Sequence, residues 1–61
     1  MKRTDLVRHL QAHGCDLYRE GSKHSLYRNR TTNQVAAVPR HSEIKEPTAR
    51  RICADLGVPR P

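Results

Sequence analysis

The chain has no tryptophan and no phenylalanine, and only 34% of its residues are hydrophobic. So little apolar material cannot wall off a deep pocket, which argues against a buried cofactor and for chemistry on an open face. At 61 residues it is expected to be a single domain spanning 1–61, burying about 60% of the surface its unfolded form exposes. Its two cysteines, Cys15 and Cys53, are too few for the disulfide framework of a small secreted scaffold. They form no Cys-x-x-Cys pair that would suggest zinc, and they fall in apolar registers that suit small core residues. No N-terminal apolar run resembles a signal peptide, and no segment is long enough to cross a membrane. The expectation is a cytoplasmic chain with reduced thiols and no membrane partner. Acidic residues are also scarce: six Asp and Glu stand against twelve Lys and Arg, for a net charge of +6. Such a field draws polyanions, nucleic acid or an acidic protein among them, although it also serves plain solubility.

What is present divides into five short elements. Thr4 reads as a helix N-cap with Asp5 in the first turn, and Leu6, Val7 and Leu10 share a face. Gly14 suits the left-handed residue that stops this helix, over about residues 4–13. Cys15 to Glu20 alternates as a strand, with Cys15 and Leu17 on one face and Asp16 and Tyr18 on the other. Gly21-Ser22 is a turn. Lys23 to Asn29 reads as a second strand, Arg30 to Asn33 as a turn, and Gln34 to Val38 as a third strand closed by Pro39. A polar loop follows, anchored by Ile44. Pro47 then opens a helix in which Ala49, Ile52, Cys53 and Leu56 form one apolar stripe, ended by Gly57. The fold class is α+β, in the order α-β-β-β-α. Two helices cover one face of a three-stranded antiparallel sheet and leave the other to water or a ligand.

Most catalytic patterns are missing. There is no glycine-rich phosphate loop and no Ser, His and acid set, and Glu43 and Glu46 lack partner groups. Of the four histidines, His9 and His13 have a helical chelating spacing without a third ligand, and His41 lies in a loop. His24 differs, because it follows a turn and adjoins Ser22 and Lys23. An imidazole can give or take a proton near neutral pH, and such help contributes roughly 10²–10⁴-fold to a rate. RNA supplies a matching target, since its deprotonated 2′-hydroxyl attacks the neighbouring phosphate. Arg19, Lys23, Arg28 and Arg30 against Glu20 leave a local excess of three positive charges to hold that phosphate.

Gly21-Ser22-x-His24, Val38-Pro39-Arg40-His41 and Glu43-Ile44-Lys45-Glu46-Pro47, set in this element order, resemble the HicA family of toxin mRNA interferases from Lys2 to Gly57. The resemblance implies a fold like a double-stranded-RNA-binding domain. It implies cleavage of mRNA without a metal or other cofactor, by a single catalytic histidine that maps to His24. Ser22, Lys23, Arg19, Arg28 and Arg30 would then contact RNA. It further implies a HicB-type antitoxin that covers the active site of a toxin monomeric when free, in a stress-response system. Many family members carry two histidines after Gly-Ser; here the first is Lys23, so the role falls to His24. Strand alternation places His24 on the face of Leu26, the more obvious core residue. A bulge near Gly21-Ser22 that resets the register is the expected resolution; Tyr27 pointing inward is the other. A non-catalytic RNA-binding module of the same fold, or a subunit meeting an acidic protein, are the rival readings.

Overall fold

The computed structural model describes all 61 residues. The elements are α1 (Arg3–Ala12), β1 (Cys15–Glu20), β2 (His24–Asn29), β3 (Val35–Pro39) and α2 (Glu46–Leu56). The three strands form one antiparallel sheet in the order β1-β2-β3, as the alternation and the two turns implied. A cluster of 11 buried residues joins both helices to one face of that sheet. No helix is long and apolar enough to cross a membrane.

The helix ends follow local chemistry in one case and tertiary pairing in the other. At the end of α2, Gly57 takes a φ of +69°. Its N–H donates to the Ala54 carbonyl at 3.1 Å, and the Val58 N–H to the Cys53 carbonyl at 3.0 Å. Two last-turn carbonyls are thereby satisfied, the arrangement a C-terminal glycine allows. The full stripe Ala49, Ile52, Cys53 and Leu56 is buried, and Pro47 lies in the first turn. At the start of α1 the expectation fails. Thr4 is not the cap; the helix already includes Arg3, and no side chain caps it. The Arg3 N–H instead donates to the Ser42 carbonyl at 2.9 Å, and Lys2 bridges to Glu43. The loop before α2 thus takes one of the first-turn amides that the helix itself leaves without a partner.

In β2 the inward positions are Ser25, Tyr27 and Asn29, all buried, while His24, Leu26 and Arg28 alternate outward. Tyr27, not Leu26, is therefore the core residue. No bulge at Gly21-Ser22 is needed to explain the facing of His24. The two buried polar side chains are tolerated because both are paired. Ser25 Oγ accepts from Arg3 Nη2 at 3.0 Å and donates to Glu20 Oε1 at 2.7 Å. Asn29 Nδ2 donates to the Leu56 carbonyl at 2.7 Å, and its Oδ1 accepts from the Thr31 N–H at 2.9 Å. Leaving such groups unpaired would cost about 1–3 kcal/mol each.

A bulge does occur, but in β1. The register runs Leu17 to Tyr27 and then Arg19 to Leu26, so Tyr18 has no partner on β2. Leu17 shares the side of Cys15 and Tyr27, yet it is 48% exposed, because β1 is an edge strand that the core does not reach at that point. Past the bulge, Arg19 faces outward opposite Leu26 and Glu20 faces inward opposite Ser25. The outer face of the sheet carries Asp16, Tyr18 and Arg19 from β1, His24, Leu26 and Arg28 from β2, and Val35, Ala37 and Pro39 from β3. No helix packs on it.

Candidate active site

The turn that presents His24 is closed by its own backbone. The Gly21 N–H donates to the His24 carbonyl at 2.8 Å. A Cβ at position 21 would come within 3.1 Å of that same oxygen, so the close approach favours glycine. His24 opens β2 opposite Pro39 and is exposed on the outer face. Ser22 and Lys23 are exposed in the turn itself.

Behind the turn lies a set of contacts that the sequence did not announce. Arg40 follows the last residue of β3 and reaches across to the turn. Its Nη1 donates to the Ser22 carbonyl at 3.1 Å. Its Nη2 donates to Glu20 Oε1 at 2.8 Å, to the His24 carbonyl at 3.3 Å and to the Gly21 carbonyl. Glu20 in turn accepts from Ser25 Oγ, which is bonded by Arg3. Arg3 Nε also donates to the Pro39 carbonyl at 2.8 Å, across the strand pair from His24. The Arg40 hydrogen bond first, and the Ser25 hydroxyl second, hold the Glu20 carboxyl below its usual value. All three strands and α1 therefore contribute to fixing one exposed turn. Arg40 appears in the sequence only as part of Val-Pro-Arg-His, and its partners lie 16 to 20 positions earlier, which no local pattern reveals.

The expected RNA contacts do not form one group. Arg19 and Arg28 flank Leu26 on the outer face, on the same side as His24. The Arg28 guanidinium stands over the Tyr18 ring, 4.9 Å from its centroid. Arg30 lies beyond the opposite end of β2, about 20 Å from His24 along the strand. There its Nε pairs with Asp16 at 3.1 Å. The open-face cation nearest His24 is thus Arg19, with Arg28 further along and Lys23 exposed in the turn itself.

The remaining histidines lie elsewhere. His9 and His13 meet edge to face at 4.6 Å between ring centroids, and His9 Nε2 donates to the Pro59 carbonyl at 2.8 Å. No three His, Cys, Asp or Glu side chains come together as a metal site. His41 lines a shallow cleft of about 430 Å³, between the loop after β3 and the first turn of α2. Both cysteines are free and buried, and burial raises their thiol pKa values above the ordinary range.

A family model described as the HicA toxin of bacterial toxin–antitoxin systems matches residues 3–58. The chain belongs to the HicA toxin family. No curated protein and no solved structure matches it. Membership assigns a toxin role within a toxin–antitoxin pair, and hence an antitoxin partner. The match takes in every element of the HicA chain from α1 to the end of α2, including the turn with His24 and the Arg40 loop.

Proposed function

We propose that this HicA-family toxin is an endoribonuclease, with His24 as its acid–base group. One observation carries the reading: the imidazole stands exposed on the helix-free face of the sheet, on a turn braced from behind. RNA cleavage of this kind needs a base to take the 2′-hydroxyl proton. The 2′-oxygen then attacks phosphorus, and the 5′-oxygen leaves with a proton, giving a 2′,3′-cyclic phosphate and a 5′-hydroxyl. A single histidine can perform the two transfers in succession, as base and then as acid. Lys23 and Arg19 hold the phosphate and offset charge that grows on it, while Ser22 offers a hydroxyl beside the turn. Arg28 and, more remotely, Arg30 follow the strand away from the scissile bond. The substrate is mRNA in the cytoplasm, and the HicB-type antitoxin neutralises the toxin by covering this face. On this reading the chain is one HicA-like domain, resembling a double-stranded-RNA-binding domain, and acts as a monomer.

The test is purified His24→Ala. It should keep its far-ultraviolet circular dichroism and lose cleavage of labelled mRNA by roughly 10²–10⁴-fold, together with toxicity on expression. A folded His24→Ala that still cleaves at the wild-type rate overturns the assignment. Wild-type protein that shifts RNA without shortening it would mark a binding module instead.

A further inference from the structure

Tyr18 takes no part in the core. It is one of two tyrosines in a chain with no other large aromatic residue, yet it is 55% exposed while Tyr27 is buried. It occupies the bulge of β1, where it has no partner on β2. The bulge sends Tyr18 and the next residue, Arg19, to the same outer face. There the Arg28 guanidinium stands over the ring, 4.9 Å from its centroid. Leu26 lies between Arg28 and His24 on β2, with Ala37 beside it on β3. The outer face thus has a catalytic candidate at one end of β2, Arg28 toward the other end, and Tyr18 beside them on β1 at the level of Leu26 and Tyr27.

We infer that Tyr18 and Arg28 form a stacking platform for an unpaired nucleobase of the RNA substrate, on the same strand as the phosphate held near His24. The inference rests on the endoribonuclease reading of His24 and extends it to the form of the substrate. Aromatic rings and guanidinium planes both take bases by stacking, and every base has a face to offer. A base inside a duplex is stacked on its neighbours and cannot present that face. From His24 to Arg28 is about 13 Å along the strand, so the platform lies a short length of chain away from the scissile phosphate. The local charge agrees: Arg19 and Arg28 lie on the path, Lys23 is exposed in the turn at its end, and the acids near it are already engaged, Glu20 by Arg40 and Asp16 by Arg30. The site therefore selects single-stranded RNA at this position and reads no base identity through hydrogen bonds.

The experiment uses the full chain and short fluorescent 2′-O-methyl RNA strands, which lack the attacking hydroxyl and are bound without being cut. Wild type should bind the single strand more tightly than the same sequence as a duplex. Tyr18→Ala should weaken the single strand by roughly 5- to 150-fold and the duplex little, whereas Tyr18→Phe should bind like wild type. A strand of the same length without bases should bind wild type and Tyr18→Ala equally. Equal binding of the based single strand by wild type and Tyr18→Ala, or a Tyr18→Ala loss that persists in full on the baseless strand, overturns the platform alone. Wild type that binds none of these strands overturns the RNA reading and the platform with it. Because Tyr18 is exposed, its removal leaves the core intact, and circular dichroism of the variants checks this.

Discussion

Arg40 Nη2 donates to Glu20 Oε1 at 2.8 Å, joining the residue after β3 to the last residue of β1. The same guanidinium donates to the carbonyls of Ser22, Gly21 and His24. Arg40 is therefore committed to the back of the turn. Its planar fork meets several oxygens at once, which the single ammonium of a lysine does not reproduce.

If His24 is the acid–base group of an endoribonuclease, replacing Arg40 should disturb catalysis more than folding. Arg40→Ala frees the turn and lets His24 wander, and misplacement of about 1 Å at a reacting group can cost about 10²-fold in rate. The expected outcome is a large fall in kcat with a small change in KM, and only partial recovery in Arg40→Lys. Steady-state kinetics on an RNA substrate, beside a thermal melt, measures both.

The Glu20 carboxyl lies below its ordinary 4.5, through Arg40 first and Ser25 second. A carboxyl depressed on folding stabilises the native state in full above its unfolded value. That contribution disappears as pH falls through the lower folded value. Urea midpoints taken below the ordinary Glu value of 4.5 should drop more steeply for wild type than for Glu20→Gln. Parallel curves for the two proteins would count against the coupling.

Asn29 ties the end of β2 to the end of α2 through the Leu56 carbonyl at 2.7 Å. Asn29→Ala leaves that carbonyl without its donor and should destabilise the chain by about 1–3 kcal/mol. Asn29→Asp has no N–H to give, so it should be no better. Urea unfolding of the three proteins checks the order.

Cys15 and Cys53 are buried, and burial raises both thiols above the usual range. Thiolate is the reactive form. Native protein should therefore react slowly with a thiol reagent at neutral pH, and urea should release both cysteines together. A fast-reacting fraction in native buffer would contradict this packing.

Amphipathic periodicity carried the helices. Ala49, Ile52, Cys53 and Leu56 form the stripe that is buried, and Gly14 and Gly57 stop the two helices with positive φ. It failed on β2, where Leu26 outranks Ser25 and Asn29 in hydrophobicity and yet faces outward. Those two polar residues belong inside only because Arg3, Glu20 and Leu56 arrive to pair with them, from as far as 27 positions away. A strand whose inner face is specified by such partners cannot be oriented from its own letters. The same holds for Thr4, a sound capping residue left inside a helix that the Ser42 and Glu43 contacts start one residue earlier, and for Arg40, whose role depends on a turn built earlier in the chain. The position of the β1 bulge was likewise out of reach, since it depends on which residue β2 leaves unmatched.

That unmatched residue has a wider consequence. Deleting Tyr18 from β1 would bring Leu17 and Arg19 into direct succession, still opposite Tyr27 and Leu26. Arg19 would still point outward, and Glu20 would still meet Ser25 and Arg40. The hairpin does not need Tyr18 to keep its phase; it is an insertion that the ladder accommodates. A chain one residue shorter should fold at least as well, with its turn and His24 unmoved. If Tyr18 stacks on a base as inferred above, what it would lose is that contact, so the scaffold and the RNA grip of this small toxin would be separable by a single codon.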